Sequence, residues 1–414
     1  MGIQSVLLME EANHPDTMTV LAATTGALTF AAMVAVFPAA IAPAIGIALD
    51  VSPSLVGIQI SLLYFGAMLT SLTGGAMNQR LGACRTTQVA LALLAIGAGL
   101  MAIGTLPLFI FASIIMGLGY GLTNPAASHL LVRFTENHRR GLVFSIKQTG
   151  VPLGGMLAGA IAPLLAVAFD WRVAVISLLI PALAGLILLQ QRRPRWDGDR
   201  SRVSTWRLAP FADLALVWRH PPLRLLALAS FFFSASQLCL TVFTVTMLVE
   251  DIHLTLVHAG FTLALIQVIG VIGRMLWGWI ADVIGNGLTA LLLVNTVSLS
   301  GSLLVTQMSD AWPIWLITGV LCLFALGTLS WNGVYLAEVA RVAPAGEVAR
   351  ASGGALFLTY AGVMVGPSAF TLMQPLIGSY TQTFLIVAVG TAVGMILIWR
   401  ARQLHTHQPP AEDQ

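Results

Sequence analysis

The sequence predicts an all-α integral membrane protein with twelve transmembrane helices in two pseudo-symmetric halves of six. Three observations predict it. The composition is 57% hydrophobic with only 9% charged residues, where a soluble domain carries about 25% charged residues, and the mean hydropathy is +0.88. Apolar runs long enough to cross about 30 Å of hydrocarbon recur along all 414 residues. Landmarks of the first half return in the second at the same spacing. This composition excludes a soluble enzyme, a disordered chain and a nucleic-acid-binding domain, and a net charge of +3 offers no basic face.

The spans are expected at 19–48, 54–77, 86–105, 107–132, 142–168 and 171–191, then at 223–249, 255–281, 287–308, 313–340, 350–376 and 379–400. In lipid the backbone must satisfy its own hydrogen bonds, so runs of this length are helices, and they are too long and too uniform for barrel strands. Paired glycines inside them (Gly150/Gly154, Gly270/Gly273, Gly362/Gly366) let helix backbones approach closely. Residues 1–191 form the first half, 192–222 a linker, 223–401 the second half and 402–414 a tail. The linker is rich in Arg, Pro and Asp. Its stretch 209–219 fits an amphipathic helix on the inner membrane surface or a plain hydrophilic connection. The first 18 residues carry Glu10, Glu11 and Asp16 without Lys or Arg, so no cleavable signal peptide is expected.

The basic residues set the orientation. Arg80, Arg85, Arg133, Arg139, Arg140, eight arginines from Arg192 to Arg224, Arg341, Arg350, Arg400 and Arg402 all fall on one side. The other side holds Arg172 and the acids Asp50, Asp170, Glu250, Asp251 and Asp310. Positive loops stay in the cytoplasm, so both termini are expected there, and the inner membrane of a bacterium is the expected home.

The repeat is specific. Gly119, Asn124 and Arg133 in the fourth span match Gly327, Asn332 and Arg341 in the tenth at identical spacing. The loop after the second span, Gly75 to Gly82 (GAMNQRLG), matches that after the eighth, Gly278 to Gly285 (GWIADVIG). Internal repeats of this kind are typical of transporters. The two loops resemble the motif G-x-x-x-D-R-x-G-R/K-R of the major facilitator superfamily, and the resemblance covers the whole chain. The second copy keeps Gly278, Asp282 and Gly285; the first keeps Gly75, Arg80 and Gly82 but has Gln79 in place of the acid. The resemblance implies a gate on the cytoplasmic side: the glycine lets helices touch, the acid sits near a helix N-terminus, and the arginine pairs with an acid. Gln79 weakens the first latch, which shifts weight to Asp282 and to Glu338 with Arg341.

Ionisable residues inside a membrane are functional candidates by default. Nineteen of the twenty basic residues are Arg, and the single Lys, Lys147, lies in the fifth span. It points into the central cavity or snorkels to the inner headgroups. Arg274 lies in the eighth span, eight residues before Asp282. The pattern Arg274, Gly278, Asp282 is similar to the monocarboxylate and oxalate/formate exchanger branch, which implies a carboxylate-binding role for Arg274; a guanidinium suits that role by donating two parallel hydrogen bonds. No Asp or Glu falls mid-membrane. Two deep cations without a deep anion point to an anionic substrate. By the spans that line the cavity in this family, Tyr64, Asn124, Gln237, Gln267, Trp331, Asn332 and Tyr360 are further substrate-binding candidates. Asn124 and Asn332 also fit interhelical hydrogen bonds.

The expectation is a secondary transporter working by alternating access, taking up a small organic anion with or without a proton. The alternative is proton-driven export of drug-like or siderophore-like compounds: the fifth span reads Gly150-Val-Pro152-Leu-Gly154-Gly155, one residue short of the G-P-x-x-G-G of drug antiporters. An enzyme is not expected, because the spans carry no nucleophile or metal cluster and the chain has no G-x-x-x-x-G-K-S/T loop. Cys84, Cys239 and Cys322 have no metal spacing. No cofactor or metal is called for. The expected partners are the small-molecule substrate, protons and the lipid bilayer, with no nucleic acid, and the chain is expected to act as a monomer.

Overall fold

The computed structural model describes residues 14–135, 140–199, 210–344 and 347–406. Glu10, Glu11, Arg139, Arg200, Arg202, Arg207 and the last residues of the tail lie outside the described residues. Among the described residues, twelve helices are long and apolar enough to cross a membrane: Thr17–Ala40, Pro53–Thr70, Ala83–Ala102, Leu106–Phe134, Ile146–Ala168, Trp171–Trp196, Pro221–Glu250, Leu256–Ile284, Gly287–Val305, Ile314–Val342, Ala351–Ile377 and Tyr380–Leu404. No strand occurs among the described residues. Each expected span is present. The sixth runs on to Trp196 with Pro194 inside its last turn, so the first residues assigned to the linker are helical. The helix of the twelfth continues to Thr406. Of the two readings of residues 209–219, the helix is found, as Pro210–Arg219.

Among the described residues, four spans are interrupted. In the first, Ala40 ends one helix and Ala42 starts another, with Pro43 in the first turn of the second. The fifth breaks at Thr149 and the sixth at Ser177 and Leu178. The tenth breaks between Thr328 and Asn332. A break in lipid is tolerated when other groups take up the freed backbone. In the tenth span they come from the eighth: Trp277 Nε1 donates to Leu326 O at 2.9 Å and Arg274 Nε donates to Leu329 O at 3.0 Å.

Packing divides the chain into two units, Met1–Pro38 with Leu62–Leu208, and Ala39–Ser61 with Ala209–Gln414. In the first, the fifth span lies directly on the first: a Cβ on Gly150 would stand 3.0 Å from Thr25 O, and one on Gly154 2.4 Å from Thr29 O. The second span meets the fourth at Gly66, Gly117 and Gly121. Pro125 lies within the fourth span and removes one backbone donor from it.

In the second unit, a Cβ on Gly362 would stand 2.0 Å from Phe231 O of the seventh span. Small hydroxyls join the spans laterally, with Ser298 and Thr328 at 2.6 Å and Ser236 and Thr391 at 2.9 Å. Such contacts contribute on average about 0.6 kcal/mol each in lipid. The segment 39–61 joins the eleventh span: Thr371 Oγ1 donates to Ser54 O at 2.6 Å and Ser61 Oγ to Met364 O at 2.5 Å. Val217 of the helix Pro210–Arg219 is fully buried in this unit's apolar core, beside Leu223 and Val339, so that helix packs on protein as well as facing outward through the half-exposed Trp218.

The repeat read in the sequence has a structural counterpart. Gly119 of the fourth span presses on the third, with Ala90 O 2.7 Å from a Cβ placed there; Gly327 of the tenth presses on the ninth, with Ser298 N at 2.4 Å. The same repeat position does the same packing task in each unit.

Candidate functional site

In the first unit the break at Thr149 places Lys147 in the last turn of Arg140–Gln148. Its side chain is buried, at 2% exposure, and does not snorkel. Nζ donates to Asn124 Oδ1 of the fourth span, and Gln148 Oε1 stands at 3.4 Å. Among the described residues no carboxylate lies within ion-pair reach of this ammonium. A buried charge with only neutral partners is expensive. It is the setting in which an arriving anion gains most, because it supplies the missing counter-charge. Tyr64 packs edge-on against Tyr120, ring centroids 5.4 Å apart.

The second unit treats its cation differently. Arg274 is half-buried and donates through Nε to the broken tenth span. The same break positions Trp331 and Asn332, which both donate to Gln237 Oε1 of the seventh span, at 3.0 and 3.1 Å. Gln267 Nε2 stands 3.4 Å from Thr241 Oγ1, and Tyr360 is half-buried on the eleventh span. Thus Asn124 joins Lys147 in one unit and Gln237, Trp331 and Asn332 form a cluster in the other. Gln267, Tyr64 and Tyr360 have other neighbours.

The arginine-rich end carries the residues of the two loop motifs. Gly82 starts the third span with φ +92° and lies against Asp197: a Cβ would stand 2.2 Å from its carboxyl carbon. Asp197, at the end of the sixth span, accepts from Cys84 N at 2.8 Å and Arg85 N at 3.1 Å, with Arg193 Nε at 3.7 Å. It is a helix cap supplied from another span. Burial pushes its carboxyl above the usual carboxylate range, against the two N–H bonds and Arg193, which lower it. Arg133 donates to Asp199 Oδ1 at 2.7 Å and to Trp196 O at 2.9 Å, and His129 Nε2 lies 2.7 Å from Asp199 Oδ2. A cavity of about 510 Å³ adjoins this cluster, lined by Asn78, Gln79, Ser128, His129 and Arg133 among others. Gln79 and Arg80 are exposed.

In the second unit Glu338 is buried and takes Arg341 at 2.6 Å. A Cβ on Gly287, at the start of the ninth span, would stand 2.2 Å from Glu338 Oε1. That helix start is capped by Asn286, which accepts from Thr289 N at 3.0 Å. Gly285 ends the eighth span with φ +65°, the left-handed conformation that favours glycine. Asp282 is exposed, and among the described residues nothing lies within 4 Å of a Cβ on Gly278, so the close approach expected of this glycine is not made among them. Gly75 lies inside the second helix, Val56–Leu81. Sequence reasoning missed Asp197 and Asp199; the available signal was a pair of acids directly after an arginine-studded helix end.

A family model described as Major Facilitator Superfamily matches residues 22–367. A hexuronate transporter of Bacillus subtilis (strain 168) is 23% identical over 369 residues, covering 85% of this chain and 86% of that protein. A probable 4-methylmuconolactone transporter of Cupriavidus pinatubonensis is 32% identical over 125 residues, 29% of this chain and 28% of that one. Among solved structures, a peptide transporter POT in complex with sulfate covers 94% of both chains at TM-score 0.74 and 17% identity. A D-xylose-proton symporter covers 92% of this chain and 97% of its own at TM-score 0.71 and 18% identity.

Proposed function

The chain belongs to the major facilitator superfamily and is a secondary transporter, and from that premise we propose that it takes up a small organic acid by alternating access. The observation that carries the reading is Lys147, a buried ammonium held by neutral amides with no carboxylate in reach among the described residues. A carboxylate restores charge balance there, and a cationic substrate worsens it. The relative matched over most of its length is named for hexuronates, sugars that carry a carboxylate, and a second is named for a muconolactone. Both names suit an acid of modest size, and a sugar acid is the preferred class.

Co-transport of a proton with the anion completes the reading. The arginine distribution supports a bacterial inner-membrane location with both termini cytoplasmic. Residues 1–191 and 223–401 serve as the two moving halves around the linker, the protein working as a monomer. Asp282, Arg80, Glu338 and Arg341 belong to the gate.

The test is uptake of radiolabelled D-glucuronate by the full chain in proteoliposomes, with and without an inward proton gradient. Saturable, gradient-stimulated uptake is expected, with loss of at least about 100-fold in Lys147→Ala, the scale of removing a desolvated charged contact. Undiminished uptake in that variant would overturn the role of Lys147. Binding confined to bulky cationic compounds would replace import by drug export.

A further inference from the structure

The cluster in the second unit has a built-in polarity. Trp331 Nε1 and Asn332 Nδ2 donate to the same atom, Gln237 Oε1. The two ends of a carboxamide are ordinarily assigned rather than observed. Here chemistry assigns them. An indole N–H only donates, so the oxygen of Gln237 must face Trp331. Asn332 must then offer its NH₂ to that oxygen, which turns its own Oδ1 away.

Two groups are left over. Gln237 Nε2 and Asn332 Oδ1 have no partner among the described residues, and neither is a sealed, unsatisfied atom. One donates and the other accepts, on adjoining side chains locked by a shared bond. Trp331 itself is 1% exposed and its N–H is occupied. It packs edge-on against Phe233 and Tyr335, at 5.6 and 5.2 Å, so the indole cannot turn to offer its N–H elsewhere.

A neighbouring donor and acceptor of fixed polarity match a hydroxyl group, which accepts and donates at once. A bare carboxylate satisfies only the donor and sets oxygen against oxygen at Asn332. We propose that Trp331 is a positioning residue that locks the Gln237 and Asn332 amides into a hydroxyl-reading pair, so that the transporter selects hydroxylated acids over plain carboxylic acids. The inference rests on the anion reading above for the carboxylate end of the substrate, and concerns a different group of it.

The experiment compares three probes with the full chain in proteoliposomes: D-glucuronate, cyclohexanecarboxylate (the same ring size and carboxylate without hydroxyls) and D-glucose (hydroxyls without the carboxylate). The wild type is expected to favour glucuronate over cyclohexanecarboxylate by at least about tenfold in KM, because a site built to bond a hydroxyl rejects the analogue lacking it. Trp331→Phe keeps the aromatic packing and removes the N–H. It frees the Gln237 amide to flip, and the KM ratio is expected to collapse by about tenfold, one neutral hydrogen bond in scale. Gln237→Glu keeps the acceptor for Trp331 and Asn332 but cannot donate, and is expected to lose the preference as well. A ratio that survives in folded, membrane-inserted Trp331→Phe and Gln237→Glu overturns the proposal. So does a wild type that prefers cyclohexanecarboxylate, with the anion reading intact. A wild type that takes glucose and neither acid, with the KM for glucose raised in both variants, upholds hydroxyl reading and overturns anion transport. A wild type that takes none of the three overturns both.

Discussion

The two units each hold one deep cation, and they hold it in opposite ways. Lys147 is surrounded by amides and keeps its charge unneutralised. Arg274 gives its Nε to Leu329 O, a carbonyl freed by the break in the tenth span. The first cation burdens the fold and the second supports it. The arginine-rich ends differ in the same spirit. Arg133 and Arg341 occupy equal positions of the repeat, yet Arg133 takes its acid from Asp199, beyond the sixth span, whereas Arg341 takes Glu338 from its own helix three residues away. The repeat arginine of the first unit is thus fastened to an acid distant in sequence, that of the second to a local one. A repeat therefore preserves where a cation stands without preserving what balances it.

The largest expected effect breaks this comparison if it fails. Lys147→Met is expected to raise the melting temperature of the detergent-purified protein while removing transport, because replacing an unbalanced buried charge by an apolar chain of similar volume relieves desolvation, on the order of 1–4 kcal/mol. Arg274→Met is expected to lower it, since an unpaired buried carbonyl costs about 1–3 kcal/mol. Shifts of the same sign would show that both cations are structural, or neither.

A smaller contrast separates the two loop glycines. Ala at Gly285 meets the left-handed backbone penalty, roughly 1–2 kcal/mol, and among the described residues nothing lies within 4 Å of a Cβ there. Ala at Gly82, with φ +92° and ψ 150°, meets a backbone conformation essentially confined to glycine and the Asp197 carboxyl as well. Gly82→Ala is expected to lower thermal stability more than Gly285→Ala, and equal losses would show that the backbone at Gly82 and the Asp197 carboxyl both yield freely.

The smallest effect probes the cap itself. Asp197→Ala removes the acceptor of two backbone N–H groups and is expected to cost about 1–2 kcal/mol. Asp197→Asn retains an acceptor and should cost less. Burial raises the Asp197 carboxyl above 3.8 in the folded protein, so the fold binds that proton more tightly than the unfolded chain. Wild-type stability contributed by the protonated form is then present below the ordinary value and is lost as pH rises through the raised one. Across that window Asp197→Asn is expected to gain on the wild type, followed by melting temperature against pH. A pH-independent difference would show that the carboxyl does not titrate there.

The spans were legible because lipid leaves an apolar run of about twenty residues few alternatives to a helix. Lys147 was legible because it is the only Lys in a chain of arginines. Gly119 and Gly327 were legible as a repeat, and each proved to be a close packing point. The breaks at Thr149 and at 329–331 were not, since no proline stands at either. Asp197 was hidden for another reason. Gln79 marks the place where a motif acid is missing, yet the carboxylate at the start of the third span comes from more than a hundred residues later. Spacing within a loop cannot reveal a partner that only folding brings near.

Two such carboxylates set a mechanical rule. Asp197 ties the end of the sixth span to the start of the third, and Asp251 ties the end of the seventh to the start of the twelfth, accepting from Thr381 N at 2.7 Å. A hydrogen-bonded helix tip behaves like a ball joint. Sliding the helix along its axis by a single residue, about 1.5 Å, breaks the joint, while tilting about the tip leaves it seated. Within each unit, these ties bar the paired helices from pistoning past one another.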